Sequence, residues 1–221
     1  MLWITRHGKT HYNLERIVQT HLNDEKAQLT PEGIEDSKRK GKIITTLFPD
    51  TKKINSSPRD RAFDTAYNIA SCFYNNASII VDDNLRDRSY GHWDGIKMDE
   101  IEDFYPEEYR RWRQAEKTRD WSFKLPTHRS AEPGTEPESR RDVYNRVKPI
   151  IDTCIEDKDI TGIVTHNDAS QVILSYLLET SGQAPKESYK FKMKNEDLFL
   201  YDNGLYKIDD DKRVKSWNGT N

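Results

Sequence analysis

Two histidines of this 221-residue chain stand where an apolar run gives out. Leu2-Trp3-Ile4-Thr5 leads into Arg6-His7-Gly8, and Gly162-Ile163-Val164-Thr165 leads into His166. Taken alone, each histidine is more often a hydrogen-bonded structural residue than a catalyst. Here two guanidiniums join them: Arg6 beside His7, and Arg61 at the start of a helix that follows a short strand. Most arginines do no more than form surface ion pairs. Two arginines and two histidines gathered at strand ends, however, repel one another unless an anion sits among them. Planar guanidinium forks match a phosphate group bidentately, so the combination points to phosphate.

Positioning these groups requires a sheet whose strands end on one side. The pattern of apolar residues predicts strands at 1–5, 53–56, 79–81, 162–165, 198–201 and 205–208. Between them, three- and four-residue spacing predicts helices through the 30s and 40s, from Ser57-Pro58 to about Ala70, from about Glu138 to Ile155, and after His166. Thr30 with Pro31 reads as an N-cap and first helical residue. Strands alternating with helices give an α/β fold of three layers, α/β/α, around a mostly parallel sheet. Open sheets of this kind bind ligands at the carboxyl ends of their strands, which is where His7 and His166 fall. From Asp82 to about Glu138 the chain is aromatic, charged and irregular, with a helix expected near Asp99 to Arg113. A stretch this long between core elements is expected to be a small inserted cap on a single domain spanning 1–221. The charge run from Asp209 to Lys215 reads as a solvated tail.

Five Trp, eleven Tyr and seven Phe mark a folded chain despite a charged fraction of 33%. The formal net charge is −3 with acids and bases interspersed, which argues against nucleic acid or a membrane surface as partner. Cys72 and Cys154, the only cysteines, both lie in predicted helices and read as two buried thiols. The apolar run at the start is broken at once by Arg6 and His7, unlike a secretory leader, so a cytoplasmic location is expected. There is no GxGxxG after a strand, no Walker A loop and no HExxH.

Arg6-His7-Gly8-Lys9-Thr10 with Asn13 resembles the RHGxT/SxxN signature of the histidine phosphatase superfamily, the phosphoglycerate-mutase-like proteins. Further matches follow in order: Leu29-Thr30-x-x-Gly33, then Ser57 to Arg61-Ala62-x-x-Thr65-Ala66, then Leu85-Arg86-Asp87-Arg88-Ser89-Tyr90-Gly91, then Glu138-Ser139, then Thr165-His166. The resemblance covers residues 4 to about 175 and implies the roles. His7 would attack phosphorus and carry the phosphoryl group. Arg6, Arg61 and His166 would hold its oxygens. Asn13, with Thr10 and Asn167, would bind and orient the phosphate. Asp87 would protonate the leaving group and then activate water. The scheme calls for no metal and no cofactor, and its partner is a small phosphorylated substrate.

The chain departs from the family pattern in places. Asp87 stands where Glu is usual, one methylene and so about 1.5 Å shorter, and Asp168 is a rival acid, though a carboxylate there also reads as a helix N-cap. Pro137 replaces the glycine of a GES segment, which leaves Glu136 and Glu138 competing for its glutamate. No glycine follows His166. A phosphoglycerate mutase of this family typically carries a lysine where Met98 stands and a second arginine where Gln114 stands. A phosphomonoester hydrolase is therefore preferred, with mutase-type phosphotransfer as the alternative and an inactive phospho-ligand-binding module as the reading from another class. Arg110, Arg111, Arg113, Tyr105, Tyr109, Trp112 and Trp121 offer either a leaving-group pocket or an ordinary helix with a buried aromatic face. Substrate identity and oligomeric state are not legible.

Overall fold

A computed structural model describes residues 1–74, 77–127, 134–180 and 193–217. Its centre is a seven-stranded sheet in the order β3-β2-β4-β1-β5-β6-β7. The strands are β1 (Leu2–Arg6), β2 (Thr51–Ser56), β3 (Ser78–Val81), β4 (Ile160–Thr165), β5 (Leu198–Tyr201), β6 (Leu205–Ile208) and β7 (Val214–Ser216). β1 to β4 pair in parallel, whereas β5, β6 and β7 continue the sheet antiparallel. The helices are α1 (His11–Glu15), α2 (Pro31–Leu47), α3 (Asp60–Ala70), α4 (Ile101–Phe104), α5 (Pro106–Thr118), α6 (Arg140–Glu156) and α7 (Asn167–Thr180). This is the α/β architecture expected. Among the described residues, no helix is long and apolar enough to cross a membrane.

The three layers follow from the two-residue period of the strands. Leu2 and Ile4 face α6 and α7, packing with Val143, Val147, Ile151, Val172 and Leu177. Trp3 points the other way, into a cluster with Ile44 of α2 and Ala62, Ala66 and Ile69 of α3. The Trp3 indole lies flat against Gly162, its register partner on β4. A Cβ at 162 would meet the ring at 2.1 Å, so only glycine lets these two strands carry that indole between them. Gly162→Ala is expected to destabilise the protein by about 3 kcal/mol, the upper end for overpacking a close-packed interior, read from the midpoint of urea unfolding. A loss well under 1 kcal/mol would mean that Trp3 re-seats freely.

Local signals account for most element ends. Thr30 accepts from Gly33 N at 3.1 Å with Pro31 at the first turn of α2, and Ser139 forms a capping box with Asp142 at the start of α6. Three expectations need correcting. The helix expected over Asp99 to Arg113 is two, α4 and α5, because Pro106 drives Tyr105 out of helical backbone (φ −135°, ψ 59°). The charged run 209–215 is not a free tail: Asp209 N donates to Arg213 O, and Val214–Ser216 pairs with β6. Its side chains are solvated while its backbone is paired. Cys72 lies just past α3 and is half-buried, not inside a helix, whereas Cys154 is buried in α6.

The described part of the cap has its own small core of Trp93, Ile101 and Leu125, flanked by Tyr105, Tyr109 and Trp112. It is fastened to the loop after α1, where Val18 N donates to Ile96 O and Gly95 N to Val18 O. The aromatic face of α5 is therefore a packing face. Trp121 packs instead beside Tyr144 of α6.

Candidate active site

Because β1 and β4 are parallel neighbours in register, Arg6 lies opposite Thr165, and His7 N donates to Thr165 O at 2.9 Å. The two histidine rings that follow come within 5.1 Å, centroid to centroid. His7 is 2% exposed and His166 fully buried. Nδ1 of His7 donates to the Gly8 carbonyl at 2.7 Å, which leaves Nε2 with the free lone pair. Burial, then the charges of Arg6 and Arg61, hold its pKa well below the usual imidazole range, so the ring is neutral and basic at Nε2 near neutral pH. Ser57 Oγ accepts from Arg59 N at 3.4 Å and lies 2.8 Å from Nε2 of His166. A hydroxyl both donates and accepts, so this bond forms with either tautomer of the His166 ring.

Arg61 is fully buried, its Nη1 and Nη2 donating to the carbonyls of Leu22 at 3.0 Å and Gln19 at 2.6 Å. Burial lowers its pKa to about 10, so it remains a cation. Arg6 donates Nη1 to Met193 O at 3.2 Å. Arg6 Nε and Arg61 Nε are buried donors, and His166 Nδ1 a buried ring nitrogen, that have no hydrogen-bond partner among the described residues. A buried donor left unmatched is costly, and an oxyanion held beside His7, whose ring feels the charges of both arginines and neighbours that of His166, is the ligand that would match them.

Asp87 approaches from the segment after β3. Its Oδ1 accepts from Arg88 N at 3.0 Å and, at the start of α7, from Asp168 N at 3.1 Å and Ala169 N at 3.4 Å. Burial, then the charge of Asp168, push its pKa up to about 6 against the pull of Arg6 and Arg61. Asp168 goes the other way. It is not the N-cap that its position suggested but the second residue of α7, buried, and it accepts from Tyr90 Oη at 2.8 Å and Asn167 Nδ2 at 2.8 Å. Burial alone would raise its pKa, but the charges of Arg140 and Arg88 hold it low.

The remaining expected residues divide. Asn13 accepts at Oδ1 from Thr10 N (3.1 Å), and with Arg6 and Asn167 it lines a cleft of about 610 Å³. Asn167 has a buried Oδ1 with no partner among the described residues. The Thr10 hydroxyl is occupied elsewhere, capping Asn13 N and bonding the Gln19 side chain, so it fixes Asn13 and does not itself reach the pocket. Glu138, not Glu136, is embedded: it takes Arg146 at 2.9 Å, Arg86 at 2.9 Å and Ser89 N at 3.1 Å, whereas Glu136 is exposed and meets Gly134 N. Arg146 in turn donates to the Asp87 carbonyl at 3.0 Å, so this pair fixes the Asp87 backbone. Ser57 stood inside a recognised motif without a role; Gln19, Asn195 and Arg146 gave no sequence signal.

A family model described as histidine phosphatase superfamily (branch 1) matches residues 2–217. The chain is 27% identical to 6-phosphofructo-2-kinase 1 of Saccharomyces cerevisiae over 81% of its length and 22% of that protein. It is 29% identical to phosphoserine phosphatase 1 of Hydrogenobacter thermophilus over 56% of its length and 53% of that protein. It thus spans between about a fifth and about half of these relatives. Among solved structures, a mycobacterial glucosyl-3-phosphoglycerate phosphatase in complex with VO3 superposes with a TM-score of 0.71 at 21% identity, covering 99% of this chain and 98% of that one.

Proposed function

We propose, for a chain that belongs to branch 1 of the histidine phosphatase superfamily, that it hydrolyses a small phosphomonoester through a phosphohistidine on His7. The observation that carries the reading is the pair of unmatched buried guanidinium donors, Arg6 Nε and Arg61 Nε, whose charges act on a neutral His7 imidazole, together with the unmatched ring nitrogen Nδ1 of the neighbouring His166. They supply an oxyanion clamp whose charge is worth most where water is excluded. Nε2 of His7 attacks phosphorus as the ester P–O bond breaks, and protonated Asp87 gives its proton to the departing alkoxide oxygen. Asp87, now a carboxylate, takes a proton from the water that attacks the phosphohistidine; inorganic phosphate leaves and His7 is restored. Covalent catalysis divides one difficult displacement into two. Met98 lines the cleft at the position where a mutase typically has lysine, which favours water over a bound sugar acid as acceptor.

The test is rapid quench with a phosphorus-labelled ester in excess chelator. The expected result is protein-bound label that survives alkali and is lost in acid, followed by release as inorganic phosphate. Label that passes instead to added phosphoglycerate would make the protein a mutase. Failure to turn over even a nitrophenyl phosphate would make it a binding module. Activity lost to the chelator and restored by a divalent ion would replace the mechanism altogether. The same clamp is expected to take vanadate as an inhibitor. The site of action proposed is the cytoplasm, in keeping with two unpaired cysteines.

A further inference from the structure

Helix α2 turns Gly33, Ser37, Gly41 and Ile44 inward, and Lys40 goes with them, 1% exposed. A buried ammonium is expensive unless every donor is matched. Here four oxygens share them: Nζ donates to Thr5 Oγ1 at 2.9 Å, to Arg6 O at 3.2 Å and to Asn195 O, and Asp36 Oδ2 lies at 3.4 Å. Burial pulls its pKa down to about 8, opposed by Asp36 on the same helix, whose carboxylate lies 3.4 Å away. The other charges around it are Arg39 on α2, Arg6 and His7 at the end of β1, and Asp197, which is itself bonded to Lys207 at 2.7 Å.

The acceptors of Lys40 belong to two segments, the end of β1 that bears His7 and the stretch 193–197 that precedes β5. The same segments are also joined by Thr5 Oγ1 to Asp197 O at 2.8 Å, by Arg6 to Met193 O at 3.2 Å, and by the pairing of Thr5 with Leu198 where β5 begins. Between them Asn195 does the reaching. Its Nδ2 donates to the His7 carbonyl at 2.7 Å and approaches Asn13 Oδ1 at 3.4 Å. We propose that Lys40 is a positioning residue: its ammonium holds Asn195 against β1, and through Asn195 it sets the nucleophile His7 and the phosphate ligand Asn13. This rests on His7 being the nucleophile. An ammonium has three N–H donors and a neutral amine two, so loss of its proton leaves two donors for the four oxygens around Nζ and slackens the joint.

Burst kinetics of nitrophenyl phosphate test this, because so good a leaving group hardly needs the proton of Asp87. Between pH 7 and 9.5 the wild-type rate of phosphoenzyme formation is expected to fall about tenfold, centred near pH 8, with KM little changed. His7 is neutral throughout that range and contributes nothing to the fall. Lys40→Met should start about tenfold slower at pH 7 and stay flat, whereas Lys40→Arg, charged across the range, should lose the alkaline fall. A flat wild-type profile, or a Lys40→Met rate equal to wild type at pH 7, would overturn the proposal. Should Lys40→Met not fold, the wild-type profile against Lys40→Arg decides alone, since a role confined to packing predicts the same pH dependence in both. Absence of any phosphoenzyme in the wild type would instead remove the phosphohistidine reading beneath it.

Discussion

His7→Ala is expected to lower turnover of every phosphomonoester by about 10⁴-fold or more, the scale on which deleting a covalent nucleophile acts when the rest of the site remains. The fold should survive. The His7 backbone N–H to Thr165 O is untouched by the substitution, and Ile4 and Trp3 still seat β1 in both layers of the core. The variant should keep its circular dichroism and its affinity for phosphate or vanadate, because Arg6, Arg61 and His166 are intact. It should yield no alkali-stable label on the protein. Turnover within tenfold of wild type would sink the assignment of His7, and loss of structure would make the kinetic result uninformative until a milder His7→Gln variant is compared.

Asp87→Asn should show a loss that depends on what is leaving. An alkyl phosphate departs as a strongly basic alkoxide and needs a proton as the bond breaks, so its kcat/KM is expected to fall about 10²- to 10⁴-fold. A nitrophenyl ester should lose far less. In the wild type, the alkyl ester's kcat/KM should drop about tenfold per pH unit above about 6, as Asp87 loses the proton it must donate. The same raised pKa has a consequence for stability. A carboxyl that titrates higher folded than unfolded stabilises the fold fully below its unfolded pKa of about 4, and loses that contribution as pH rises through about 6. Asn imitates the protonated acid and keeps an acceptor for Asp168 N and Ala169 N, so the variant should melt higher than wild type at pH 7.5 while working more slowly. Asp168→Asn is the control. It removes the buried charge that lies 3.8 Å from Arg88 and balances Arg140, and should cost roughly 3 kcal/mol of stability, with no dependence on leaving group. If the leaving-group dependence follows Asp168 instead, the acid belongs beside His166.

His7, His166, Arg61 and Asp87 stand out in the sequence because each sits next to an apolar run or inside an ordered motif. That β1 and β4 are neighbours was beyond it, since their pairing joins residues 2–6 to 160–165 and no local propensity encodes a contact of that separation. The supporting residues fared worse for the same reason. Ser57, Asn195 and Arg146 act on groups 109, 188 and 59 positions away. Asp87 and Asp168 look equivalent in a sequence; only burial and the arginines facing each one separate their proton affinities. Two misreadings had local causes. Pro106 was visible and should have broken the predicted cap helix. The run at 209–215 shows that charged side chains report solvation of their own tips, not whether the backbone beneath them is paired. Lys40 also left a trace, a lysine in register with Ser37, Gly41 and Ile44 on the helix face that has to be buried.

The place of β1 in the sheet also governs when activity can exist. It is the first strand in the chain, yet it lies between β4 and β5, so both of its edges wait for partners made more than 150 residues later. Contacts of such separation carry a large loop-closure cost and form slowly. A nascent chain that stops before residue 165 has the nucleophile but neither the second histidine nor a strand to hold the first. One that stops before 198 lacks Met193, Asn195 or the strand that anchors them. Vectorial synthesis therefore passes through no half-built catalyst. On the proposed chemistry the pocket arrives whole, with the last third of the protein, and a truncated message is expected to yield a chain that is inert rather than partly active.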